Sequence, residues 1–225
     1  MKKLTKIFAV LVALMLMAIS LVACAAGTEY IFEAEEAELD AACQVESGPE
    51  YSTDPEAEEV EATHVGYFTA EGTTITWTIV SDKACNATLT LRASSTNTDM
   101  WTVLGPAMAP GGAPTSDVVT FEEVDLSKNE CVVLTVNGKE VSMSGILPGL
   151  ELNIAEHGGV WGMFGIMGPV YKNYGTGTAK IRLQKGENKI VLTAQGYNDG
   201  QGGINVDKIM ITANATLTWE PQVNG

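Results

Sequence analysis

Positive charge is scarce in this chain. Thirteen Lys and Arg stand against 28 Asp and Glu in 225 residues, a formal charge of −15. Lys2, Lys3 and Lys6 fall within the first six residues, so the remainder is poorer still in cations. Such a balance excludes nucleic acid as a partner, because phosphates need Lys and Arg. It equally excludes electrostatic docking on anionic lipid. Histidine is rarer: His64 and His157 are the only two, and neither has a metal-ligand neighbour at regular spacing. Neither is expected to carry a role. The glycines at 158–177 are followed by no GK[ST] and lack a strand-to-helix context, so they are not a phosphate loop. No Ser-His-Asp order with an elbow motif is visible. No positioned pair of carboxylates flanks an evident cleft, as glycoside hydrolysis would need. The chain therefore reads as non-catalytic, and release of reducing sugar from a polysaccharide would contradict that. Cys43, Cys85 and Cys131 follow the first segment. An odd count cannot pair completely, and the short paired spacings of a zinc site are missing. They are buried small hydrophobes, or one disulfide plus a free thiol.

The chain opens with a targeting segment. After the three lysines, Ile7 to Val22 is an apolar run broken only by Ser20. It is short for a membrane span and fits a secretory signal. Leu21-Val22-Ala23-Cys24 resembles a bacterial lipobox, in which Cys24 would be lipidated. Ordinary cleavage near Ala23-Cys24-Ala25 is the alternative. The expected division is a signal at 1–23, a linker at 24–29, one domain at 30–212 and a tail at 213–225.

The domain is a succession of short strands. Over Thr73 to Val80, Ile75, Trp77 and Ile79 alternate with Thr74, Thr76 and Thr78, which predicts a strand with Trp77 in the core. Ala87 to Ala93 alternates likewise. Cys131 to Val136 runs into Asn137-Gly138, a hairpin signal, and Lys139 to Val141 returns. Ala179–Leu183 and Lys189–Thr193 flank a turn at 185–188, and a final strand lies within 203–211. The acidic stretch 46–61 and the Gly- and Pro-rich stretch 94–117, with Trp101, read as loops. The segment 157–177 is rich in glycine and carries Trp161, Phe164, Tyr171 and Tyr174. No long helical period appears, and the pattern predicts an all-β sandwich. Glu33 and Glu35 are two apart on the first strand, hence on one face. If the first and last strands are neighbours, Asp207 joins them, and three converging carboxylates select calcium. Exposure of the glutamates on an edge strand is the alternative.

Several motifs occur in order: Phe32-Glu33-Ala34-Glu35, Gly66-Tyr67-Phe68, 87–93, Val136-Asn137-Gly138, 183–190 and Gly203-Ile204-Asn205-Val206-Asp207. Together they resemble the family 6 and family 35 carbohydrate-binding modules, whose fold is a galactose-binding-like β-sandwich, or jelly roll. The resemblance implies a structural Ca2+ held at Glu33, Glu35 and Asp207. It implies a sugar site in the loops at one end, with Tyr197, Asn198 and Asp199 as polar groups and Trp161 and Tyr67 as stacking rings. It implies a non-catalytic protein that binds polysaccharide or oligosaccharide; taken with the lipobox-like segment, capture would occur at the bacterial cell surface, with the membrane touched only through a lipid anchor. The loops at 94–130 and 142–177 are longer than compact modules need. The second is apolar at Met163, Phe164, Ile166 and Met167, which suits a lid or a protein contact. A surface adhesion or assembly protein, with a protein partner at 157–177, is the second reading.

Overall fold

Residues 27–196 and 203–222 are described in the computed structural model. Thr28–Glu33 (β1), Glu38–Leu39 (β2), Gln44–Pro49 (β3), Glu61–Gly66 (β4), Thr74–Ser81 (β5) and Cys85–Ser95 (β6) come first. A short helix, α1 at Met100–Leu104, precedes Val118–Phe121 (β7), Val124–Asp125 (β8), Val132–Val136 (β9), Lys139–Val141 (β10), Ile146–Leu147 (β11) and Leu150–Asn153 (β12). After α2 at Gly159–Val170 come Tyr174–Leu183 (β13), Gly186–Ala194 (β14), Ile204–Ala213 (β15) and Leu217–Trp219 (β16).

The chain is an all-β sandwich of two six-stranded sheets. One runs β13-β6-β15-β4-β3, with β1 also on β15, and the other β10-β9-β14-β5-β16, with β2 also on β5. The alternation in β5 decides its placement. Ile75, Trp77 and Ile79 are fully buried between the sheets, facing Leu89 and Leu91 of β6 and Ile209 and Ile211 of β15 in one continuous core. Burying each such side chain contributes about 1.5–3 kcal/mol. The Trp77 indole N–H donates to the Glu33 carbonyl at 3.2 Å, so its one polar atom is satisfied. The hairpin at Asn137-Gly138 has both residues at positive φ, 53° and 74°, as a two-residue primed turn requires.

A second, smaller core lies beside the sandwich. It is built from α1, α2, β7 and β12, with Leu104, Val119, Phe121, Leu152 and Met163 at its centre. The segments expected as loops at 94–130 and 142–177 supply it. Five expectations are corrected here. Part of the acidic stretch 46–61 forms β3 and pairs with β4. The stretch 94–117 contains α1, and 157–177 contains the twelve-residue α2. Residues past 213 are not a tail: β16 pairs with β5, and Trp219 packs edge-on against Phe32 at 5.4 Å between centroids. The strand β1 likewise begins at Thr28, inside the expected linker. Helix α2 escaped notice because glycines at 159, 162, 165 and 168 and Pro169 dilute its pattern. Tertiary packing of Met163, Met167 and Val170, not propensity, holds it.

Candidate functional site

The first and last strands are neighbours. β1 pairs with β15 in antiparallel register, Glu33 opposite Lys208, and the Ala34 N–H donates to the Asp207 carbonyl at 2.9 Å. Glu33 and Asp207 thus lie on paired strands, and Glu35 is near enough to feel the charge of both. The register between β15 and β6 slips between Val206 and Lys208. Consecutive strand residues normally face opposite ways, and this irregularity lets Asp207 and Lys208 meet at 3.5 Å. The Lys208 Nζ donates to both Glu33 carboxylate oxygens at 3.1 Å. Arg92 donates to Asp207 at 2.7 Å and to Glu50 at 2.8 Å. Burial opposes the charge on both cations, yet their hydrogen-bonded carboxylates raise both above their ordinary values. Burial also raises the Glu35 carboxyl; its backbone hydrogen bond opposes this, and Glu33 and Asp207 add to the rise. The donor chemistry suits a hard cation. In the described arrangement, however, Lys208 and Arg92 already answer Glu33 and Asp207. Among the described residues no group of three His, Cys, Asp or Glu stands close enough to hold a metal.

A cavity of about 660 Å³ opens where the small core meets the sandwich. Its walls include Tyr67, Trp101, Phe164 and Tyr171, and its polar lining includes Glu46, Lys172 and Asn205. The elements explain the placement. β3 carries Glu46, Tyr67 follows directly on β4, Asn205 is the second residue of β15, and α1 and α2 close the opposite side. Tyr67 is 56% exposed and has φ 57°, a left-handed conformation that a bulky residue rarely adopts. Lys172 is buried and donates to the Gly168 carbonyl at 3.3 Å, and burial lowers its ammonium below the usual range. Asn205 donates to the Tyr171 carbonyl at 3.4 Å, and Ser94 donates to the same oxygen. Thr96 Oγ1, also on the cavity, is buried with no hydrogen-bond partner among the described residues.

Behind the cavity runs a polar chain. His64 is buried, and its Nε2 lies 3.2 Å from Glu46 Oε2. A carboxylate only accepts, so Nε2 carries the proton, and Nδ1 accepts from the Tyr174 hydroxyl at 3.4 Å. Burial lowers the imidazole, with Lys172 adding to the effect and Glu46 opposing it. The contact with Glu46 is therefore that of a neutral ring. Arg92 lies over the Tyr174 ring at 4.1 Å and links this chain to Asp207.

In fold this chain is similar to known carbohydrate-binding modules. A family 35 module from Clostridium thermocellum is 17% identical with a TM-score of 0.42, covering 82% of this chain and 97% of that one. The family 35 module of Cellvibrio japonicus Abf62 is 15% identical, TM-score 0.43, covering 87% and 99%. A module from Cellvibrio mixtus lichenase 5A, solved with cellotriose, is 13% identical, TM-score 0.40, covering 81% and 95%. No family model and no curated sequence matches the chain.

Of the residues expected at a sugar site, Tyr67 is on the cavity. Trp161 stands outside it, 73% exposed, with its ring 6.0 Å from that of Phe164. Tyr197, Asn198 and Asp199 lie outside the described residues, as does Cys24. Sequence reasoning passed over Glu46, Lys172, Asn205 and Trp101. Asn205 alone had a signal, since it sits in the Gly203 to Asp207 motif. His64, set aside as incidental, is a buried member of the polar chain. Cys43, Cys85 and Cys131 are free thiols, and burial pushes Cys43 and Cys131 up to about 11. They are packed thiols, not reactive ones.

Proposed function

We propose that this protein is a non-catalytic carbohydrate-binding protein whose ligand occupies the cavity between the sandwich and the small core. One observation carries the reading: aromatic walls and a polar lining converge on a single cavity of a size that suits small ligands. A ring face matches the CH face of a pyranose, and amide, ammonium and carboxylate groups orient its hydroxyls. The strained Tyr67 backbone points the same way, because such conformations persist where surrounding structure enforces them and cluster at ligand clamps. A glycan array on the protein without its signal tests this. Binding to a defined sugar class is expected, with Tyr67→Ala and Asn205→Ala each weakening it at least tenfold. Silence across the whole array would refute the reading.

Calcium belongs to the same proposal. Glu35 and Asp207, with Glu33, would hold it, and Lys208 competes for Glu33. Calcium should raise the melting temperature and chelator should lower it; identical melts in both would leave the ion pairs as the sole counter-charge. The lipobox-like Leu21-Val22-Ala23-Cys24 supports a further part of this reading, a lipid on Cys24 that would hold the protein at the outer face of a bacterial membrane. Palmitate labelling that survives Cys24→Ala would remove the anchor from the proposal. Adhesion to a protein partner is the second reading, favoured by the exposed Trp161.

A further inference from the structure

The exposed face of α2 continues the cavity outward. Trp161, Gly165 and Gly168 are exposed and successive along one side of the helix, with Phe164 half-buried beside them. Residues three and four apart share a helix face. Gly168 and Phe164 also line the cavity, whose buried Lys172 donates to the Gly168 carbonyl. Trp101 of α1 adds a ring beside the row: its centroid is 5.9 Å from that of Phe164, and that of Trp161 is 6.0 Å from Phe164. Each step is about the length of one sugar ring.

The glycines sharpen the point. An added Cβ at Gly165 or Gly168 would meet nothing within 4 Å, so packing does not demand glycine there. Glycine inside a helix costs roughly 0.5–1 kcal/mol relative to alanine. What these positions achieve is a bare strip between the outer tryptophan and the cavity. The rings are not coplanar: both neighbouring pairs are tilted by 44°. A flat crystalline surface could not touch them all, whereas a single twisted chain could.

We propose that the strip extends the cavity into a multi-unit cleft. Its ligand is a soluble oligosaccharide of at least three units, entering end-first, with its terminal ring by Lys172 and Asn205 and the following rings over Phe164, Trp101 and Trp161. This rests on the sugar-binding reading of the cavity.

The test is calorimetric titration of the mature protein with cello-, laminari- and manno-oligosaccharides of one to six units. It is repeated with Trp161→Ala and Gly165→Leu, alongside sedimentation and melting of each form; Gly165 is on the strip but does not line the cavity. In the series that binds, affinity should rise about tenfold between one and three units and then level off. Both variants should abolish that rise, leave the shortest ligand within twofold of wild type, and melt no lower. Gly165→Leu keeps the test sound should the tryptophan variant prove unstable. Equal affinity at every length, or a rise that survives both substitutions, overturns the cleft and spares the cavity. A dimer that Trp161→Ala dissociates overturns it too, by giving the rings a second copy as partner. No binding in any series removes the sugar reading and the cleft with it.

Discussion

His64 shows how much a single residue's meaning depends on its surroundings. A buried neutral imidazole donates to Glu46 and accepts from Tyr174. Its pKa is depressed in the folded state, so the unfolded chain binds the proton more readily. Stability from this group is present above about pH 6.5 and is lost as pH falls through the folded value. The melting temperature should therefore drop on acidification below 6.5, and less steeply in His64→Gln; parallel curves for the two proteins would discount the histidine. Arg92 makes a stronger case. It pairs with the buried Asp207 at 2.7 Å, and removing it strands a buried carboxylate. Arg92→Met should destabilise by about 3 kcal/mol, read by urea denaturation. A loss below about 1 kcal/mol, the range of exposed pairs, would mean that Lys208 alone suffices.

Helix α2 and strand β16 were the elements least visible beforehand, for opposite reasons. The helix is apolar on every side and threaded with glycine, so no face stands out in the sequence. It exists because Met163, Met167 and Val170 complete the small core. Since Gly165 meets open space, alanine there should stabilise the helix by up to about 1 kcal/mol and raise the melting temperature by a few degrees. A lower melting temperature would reveal packing against this position. Strand β16 is three residues long, too short for periodicity to register. Leu217 is nonetheless buried in the main core and paired opposite Ser81. Leu217→Ala should cost about 2 kcal/mol or more, and a neutral result in denaturant would return this segment to the status of a tail.

At the scale of the whole molecule, the two-sheet sandwich was the most legible feature. Alternation in β5 and β6 predicted which side chains face inward, and Trp77 is fully buried as that pattern requires. The end strands pair, as the expected approach of Glu33 and Glu35 to Asp207 requires, yet among the described residues the three do not form a group able to hold a metal. What counterbalances those charges was not legible. Lys208 sits one residue from Asp207, where a regular strand would turn it away, and Arg92 comes from β6 across the sheet. A melting experiment with calcium and with chelator weighs the two kinds of counter-charge directly.

Local periodicity and turn chemistry act between neighbours in sequence, so the sequence by itself determined the strands β5, β6, β9, β13 and β14, the Asn137-Gly138 hairpin and the shortage of cations. The cavity joins residues from 46 to 205 in chain order, and no local rule connects Glu46, Lys172 and Asn205. Only the packing of the small core against the sandwich decided that they share one space, because burial is settled by which surfaces meet and not by which residues are adjacent in the chain.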